Sequence, residues 1–347
     1  MSTTPRRATL ATVAASAGVS VATVSKVLNG RQDVAPSTRA RVQDLLRAHD
    51  YAGRIMPIER LPTYELTFRG KVGGYSAEII QGVAVTAEEL GVSVTVGVKV
   101  AESRARTRAE IGEWARGLAF SGRRGVIAVT DRLGRAEVEA LRRVRVPLVV
   151  IDPMNTPTPD VVSVGSTNFN GGQAAGRHLV QLGHTRIGYL GCVTAECIQA
   201  RLGGFRNALD AARIAVPEHL HGDAASFDFE DGLLVARQLL DRPERPTAIF
   251  AVSDELARGA VEAARERGLS VPEDLSIVGF DDTEIARIAS PPLTTVRQPL
   301  QEMGAVALRT VLRLAAGEKI DSPHVELATE LVVRASTARV QQQPTHA

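Results

Sequence analysis

Small apolar residues recur at helical spacing near the start of the chain: Val13, Ala14 and Ala17, then, past Gly18, Val24, Val27 and Leu28. Spacings of three and four predict two short helices, each with one buried face. The join between them is written in Ala17-Gly18-Val19-Ser20. Gly18 suits the left-handed position that ends a helix, because it has no Cβ to clash. Ser20 suits the N-cap of the next helix, its hydroxyl accepting an orphan backbone N–H. Thr9 or Leu10 opens the first helix, and Pro36 opens a third, with Val42, Leu45 and Leu46 as its inner stripe. On the second helix Ala22, Lys26 and Asn29 share an outward face, with Val21 and Ser25 beside them. That is the pattern of a helix-turn-helix, whose second helix lays its first residues against base edges in the major groove.

From residue 64 the pattern changes. Short apolar runs without alternation fall at 66–68, 92–98, 125–129, 147–151, 187–190, 248–252 and 275–279. Helical patterns lie between them at 77–90, 110–120, 171–182, 204–212, 232–240 and 255–267. Unalternating runs suit strands covered on both faces, hence parallel sheets in an α/β architecture. A break at 155–159 and Pro-rich crossings near 291–292 and 321–323 divide this part into two halves. The expected organisation is an all-α helix-turn-helix head at 1–53, a linker at 54–63 and a two-lobed α/β body at 64–338. Lobe 1 would hold 64–162 and 293–320, lobe 2 163–290 and 323–338, with 339–347 a flexible tail.

Charge separates the two parts. Residues 1–60 carry nine Lys and Arg against four acids, +5, while the whole chain is +2, which leaves the remainder at −3. A basic head on a mildly acidic body is the footprint of a phosphate-binding module. The N-terminus has no apolar run after its arginine pair, so neither a secretory signal nor a membrane span is expected, and the expected location is the cytoplasm. Cys192 and Cys197 fit a reducing compartment as ordinary thiols, with a thiol switch or half a metal site as the alternative. No glycine-rich dinucleotide turn follows a strand, there is no nucleophile elbow or P-loop, and the seven histidines are scattered. An enzyme is therefore not expected, nor any cofactor or metal. A transport receptor fits the body but not the basic head.

Ligands of open α/β lobes bind at the carboxyl ends of the strands. Asp152, Asp254 and the pair Asp281-Asp282 each follow an apolar run, placing three acidic positions there. Carboxylates accept strongly from hydroxyl groups, which suits a neutral sugar. Arg201 adds a planar donor fork. Asp254 could equally cap the helix it opens, and Asp281 is expected to order its loop rather than to touch ligand. Tyr75, Phe169 and Phe227 are aromatic faces placed to stack on a ring, whereas Trp114, at helical spacing with Ile111 and Leu118, is expected in a core.

Residues 17–30, Ala-Gly-Val-Ser-Val-Ala-Thr-Val-Ser-Lys-Val-Leu-Asn-Gly, followed by Thr38-Arg39-Ala40-Arg41-Val42, resemble the head of the lactose-repressor (LacI/GalR) family of bacterial transcription factors. The resemblance implies a two-lobed clamp of the periplasmic-binding-protein type, a homodimer on a pseudo-palindromic double-stranded operator, and control by a small molecule. Val21, Ala22 and Lys26 would face base edges, with Ser25 and Asn29 alongside, and Ser20, Thr23 and Thr38 would meet phosphates. The family's Asp, Arg and Asp effector positions match Asp152, Arg201 and Asp254. Asn168 matches an Asp-Asn pair opening the second lobe, Phe227 an aromatic after a Gly-Asp, and Gln298 a polar contact. Segments around 290–300 and 325–337 resemble actinobacterial regulators of polysaccharide-degrading operons, which points to an oligosaccharide, with a nucleobase or an amino acid as the alternative.

Two segments depart from the family pattern. After Tyr51, where a minor-groove hinge helix is usual, stand Gly53, Pro57 and Pro62. A short or irregular hinge is expected, with Arg54 on phosphate or minor groove and Ile55, Met56, Ile58 or Leu61 as the wedge. The loop at 69–75 also lacks the usual motif, and its Lys71 would favour an acidic ligand.

Overall fold

A computed structural model describes residues 9–28, 33–48, 61–99, 107–131, 133–155, 161–192, 195–215 and 217–340. The chain forms two compact units, Met1–Leu61 and Pro62–Ala347. The division falls within the expected linker, two residues before its end.

The first unit holds α1 (Leu10–Ala17), α2 (Val21–Leu28) and α3 (Pro36–Ala48). Thr9 caps α1 reciprocally with Thr12, and Gly18 ends it in the left-handed region at φ 64°. Val13, Ala14, Ala17, Val24, Val27, Val34, Val42 and Leu46 form one small core, with Leu45 at its edge. The periodicity therefore locates the buried face of all three helices.

The second unit begins with β1 (Thr63–Arg69), α4 (Gly74–Leu90), β2 (Ser93–Lys99), α5 (Arg108–Phe120), β3 (Arg123–Val129), α6 (Arg135–Arg143), β4 (Leu148–Ile151) and β5 (Val162–Ser166). It continues with α7 (Asn168–Gln181), β6 (Ile187–Gly191), α8 (Glu196–Ala211), β7 (His221–Asp223), α9 (Phe229–Leu240), β8 (Ala248–Ala251), α10 (Asp254–Glu266), β9 (Ser276–Asp281), α11 (Glu284–Ile288) and β10 (Thr294–Arg297). Last come α12 (Leu300–Ala315), β11 (His324–Leu327) and β12 (Glu330–Val332).

Among the described residues two six-stranded sheets result, ordered β11-β5-β4-β3-β1-β2 and β12-β10-β9-β8-β6-β7. The first is parallel throughout, and the second is parallel except where β12 runs against β10. Burial on both faces explains the unalternating runs of β3, β4, β6, β8 and β9, but not that at 92–98: β2 is an edge strand and leaves Val96 and Val98 exposed. In the first lobe Leu66, Phe68, Ile127 and Val149 pack with Ile79, Val83, Met303 and Val311 of α4 and α12. Val126 joins Ala115, Leu141 and the flanking Trp114, so Trp114 packs against a core as its spacing predicts.

The lobe boundaries need correction. β5 and β11 belong to the first sheet and β10 to the second, so the chain crosses at 166–168, 297–300 and 327–330 rather than near 162, 290 and 320. Each crossing lies past the prolines because a strand is completed before the chain changes lobe. Of the expected tail, Val340 is held, its N donating to Leu182 O at 3.0 Å, and 341–347 lie outside the described residues.

Candidate functional site

In the head, Val21, Ala22 and Lys26 stand outward on α2, Val21 being 46% exposed, while Thr23 and Ser25 are half-buried. Ser20 Oγ accepts from Thr23 N at 3.1 Å and lies 2.9 Å from Thr23 Oγ1, so the hydroxyl expected on phosphate also caps its own helix. Lys26 Nζ donates to Asp33 Oδ2 at 2.7 Å, with both side chains more than half exposed. Thr38 sits half-buried in the first turn of α3. Asn29, Arg54, Ile55, Met56 and Ile58 fall outside the described residues, whereas Leu61, the last of the expected wedge candidates, is described and 49% exposed.

In the body, the carboxyl ends of both sheets face a cavity of about 660 Å³. Thr130, Asp152 and Asp281, each at the end of a strand, line it with positive φ of 44°, 43° and 117°. For residues with a Cβ this backbone is strained, a feature that gathers at ligand sites. Asp152 and Asp281 belong to a polar network running from lobe to lobe. Tyr75, in the first turn of α4, donates to Asp152 Oδ2 at 2.7 Å. Asn168, at the first crossing, hydrogen-bonds Asp152 and accepts from Arg201 Nε at 2.7 Å. Arg201 donates to Val252 O at 2.6 Å, reaches to 3.6 Å of Asp281 Oδ1 and lies 3.8 Å over the Phe280 ring. Gln298, at the second crossing, donates to Asp281 Oδ1 at 2.7 Å and accepts from Ser166 Oγ at 2.6 Å.

The network's side chains are largely buried, and that sets its electrostatics. Burial pushes the Asp152 and Asp281 carboxyls up, Asp281 strongly, while the Arg201 guanidinium pulls both back. Burial and the neighbouring Asp152 carboxylate hold the Tyr75 phenol well above its ordinary value, so it stays a donor. Tyr75, Asp152, Asn168, Arg201, Asp281 and Gln298, singled out separately along the sequence, thus meet in one constellation.

Asp254 has a different part. Thr295 Oγ1 donates to its Oδ1 at 2.6 Å, and Thr283 donates to its Oδ2 through N at 2.8 Å and Oγ1 at 3.0 Å. The cap of α10 is Ser253, whose Oγ accepts from Leu256 N at 3.3 Å. Asp254 therefore ties α10 to the segment after β9, and burial pushes its carboxyl up to about 7. Phe227 lines the cavity together with Phe229, which Arg258 covers at 4.1 Å. Phe169 does not line it; its ring packs beside Gly203 between α7 and α8. Asp282 turns away to Arg297 at 2.7 Å and Arg334 at 2.5 Å. Cys197 is in the cavity wall, its thiol pushed up to about 12 by burial, which disfavours the thiolate. Sequence reasoning missed Thr130, Arg69 and Arg258 in the lining, because positive φ and cross-lobe proximity leave no periodic trace.

Residues 9–53 match the model of the lacI family of bacterial regulatory proteins, and residues 177–337 that of a periplasmic binding protein-like domain. The HTH-type transcriptional regulator DegA of Bacillus subtilis (strain 168) is 34% identical over 343 residues, 96% of this chain and 98% of that one. The structure of a transcriptional regulator CelR–cellobiose complex is 30% identical, with a TM-score of 0.69 over 95% of this chain and 100% of that one. The Lac repressor dimer bound to operator and the anti-inducer ONPF is 26% identical, with a TM-score of 0.74 over 96% and 100%. These relatives are regulators rather than enzymes. A helix-turn-helix head, two clamped α/β lobes and likeness along nearly the whole chain have one reading: the chain belongs to the lacI family of DNA-binding transcriptional repressors.

Proposed function

We propose that this repressor, a cytoplasmic homodimer on a pseudo-palindromic operator, changes its operator affinity when a sugar or oligosaccharide occupies the cavity between its lobes. The observation that carries this is the cavity floor. Asp152 and Asp281 offer acceptors at strand ends beside the Arg201 guanidinium of α8, and Tyr75 and Phe227 supply ring faces in the same cavity. Sugars present a ring of hydroxyls and an apolar face, and need both. The CelR–cellobiose complex is similar along nearly the whole chain, which fits this reading.

Coupling works through differential affinity. A ligand shifts operator binding only by as much as it prefers one arrangement of the lobes, commonly about 1–3 kcal/mol. Because the floor network includes residues of both lobes and two of the crossings, a ligand that engages it acts on the relative position of the lobes. Thermal unfolding of the full chain against mono- and oligosaccharides is the test, since a ligand that binds only the folded state raises the midpoint. The stabilising sugar should then change operator affinity in a gel shift. Stabilisation by a nucleobase or amino acid, and by no sugar, would replace this reading with its alternative.

On DNA, Val21, Ala22 and Lys26 read base edges while Ser20, Thr23 and Thr38 meet phosphates. Lys26→Ala should reduce discrimination between operator and random duplex by about 1–3 kcal/mol. Equal losses on both duplexes would place Lys26 on the backbone instead.

A further inference from the structure

The cavity lining is polar in an asymmetric way. Among the described residues it holds four cations, Arg69, Lys71, Arg201 and Arg258, against six acids, Asp152, Asp228, Glu230, Asp254, Glu255 and Asp281. Each of the four cations is already engaged. Arg69 donates to the buried Asp131 at 2.7 Å. Arg258 lies over Phe229 and 3.7 Å from Glu255. Arg201 is spent on Asn168, the Val252 carbonyl and Asp281.

Lys71 is the cation with most access to solvent, its side chain 76% exposed. It belongs to the loop after β1 in the first lobe, and its Nζ donates to Asp228 Oδ2 of the second lobe at 2.6 Å. Glu230 and Asp231 add negative charge around it. The loop that by sequence favours an acidic ligand therefore has its charge answered from across the cleft.

We propose that the Lys71–Asp228 pair is a charge gate: it restricts this cavity to uncharged polyhydroxylated ligands and turns away their phosphorylated or carboxylated counterparts. The proposal rests on the reading of the cavity as the effector site. An anion entering would have to draw Lys71 from Asp228 and then sit beside the carboxylates of Asp228 and Glu230, whereas hydroxyl groups find acceptors already in place.

The test uses the full chain and inorganic phosphate as the probe, with chloride at equal ionic strength as the reference. The readout is the phosphate-induced rise in unfolding midpoint that disappears on Lys71→Ala, a difference that cancels anions held by the basic head. In the natural sequence this Lys71-dependent rise should be absent. In Asp228→Asn it should appear, because Lys71 is released. A Lys71-dependent rise in the natural sequence, or none in Asp228→Asn, overturns the gate. A second arm compares cellobiose with cellobiose 6-phosphate, and preference for the phosphate ester would likewise overturn it. If neither sugar shifts the midpoint while phosphate behaves as expected, the gate stands and the sugar reading is what fails.

Discussion

Arg201→Met isolates the buried floor, because methionine keeps much of the arginine's bulk and removes its charge and donors. Arg201 is 4% exposed. Its removal leaves the Val252 carbonyl and Asn168 Oδ1 without the donors they have at 2.6 and 2.7 Å, and buried acceptors left unmet cost about 1–3 kcal/mol each. It also takes the opposing charge from Asp281 and Asp152. Breaking a buried pair from one side costs about 3–5 kcal/mol, a lowering of the midpoint on the order of 10 °C for a domain of this size.

Part of that loss should depend on pH, and its sign follows from the carboxyls. Asp281 already has a raised folded pKa, and without Arg201 it rises further. An acid raised on folding loses stability as pH climbs through its folded value, so the deficit of the variant grows with pH. At acid pH the carboxyl neutralises itself and only the hydrogen-bond loss remains. Thermal unfolding of both proteins across pH 5–9 measures this, and Asp281→Asn in the Arg201→Met background should remove the pH-dependent part. A deficit below about 1 kcal/mol, less than a single unmet acceptor costs, or one flat with pH, would refute the assignment of Arg201 as counter-charge to Asp281.

Three further outcomes are expected. Asp33→Asn frees Lys26 from an exposed pair worth at most about 1 kcal/mol and removes a negative charge, so duplex affinity should rise up to about fivefold in a binding titration; an unchanged or weaker affinity counts against Lys26 as a DNA contact. Gly172→Ala sets a methyl group onto the Arg201 carbonyl oxygen, where α7 and α8 touch, and should destabilise the second lobe by about 1–3 kcal/mol or more. Gly91→Ala, with open space around it but a φ of 63°, should cost only about 1 kcal/mol; denaturant midpoints decide whether that order holds. His178 and His184 bond Thr337, Thr247, Ser276 and the Ala338 carbonyl, and burial lowers both pKa values. Their folded state prefers the neutral ring, so their contribution is present above the unfolded value of about 6.5 and lost as pH falls below it. The stability advantage over His178→Asn/His184→Asn should therefore shrink between pH 7.5 and 5.5, and an advantage that grows toward acid would overturn the sign.

The sequence by itself determined what depends on neighbours along the chain. Val13, Ala14, Ala17, Val24 and Val27 mark the inner face of the head because helical spacing alone brings them together. Gly18 ends α1 because a backbone without Cβ reaches φ 64° freely. Unalternating apolar runs predict two-sided burial, and the inner strands of both sheets have it, though the edge strand β2 does not. Asp152 and Asp281 were legible as candidates because each stands at the end of a strand, and Arg201 because it precedes a helical run, although α8 starts earlier, at Glu196, and holds Arg201 within it. Tertiary structure decided what those side chains do. Asp254 has the same local signature as Asp152, yet Thr283 and Thr295, 29 and 41 residues away, occupy its oxygens. Gln298 gains its part from Ser166, 132 residues earlier. Lys71 reads as a free cation until Asp228, 157 residues on, meets it across the cleft. Strands at the crossings stayed hidden for the same reason: which sheet takes β5, β10 or β11 depends on partners that come together only on folding, and no periodicity in a four- or five-residue segment encodes that choice.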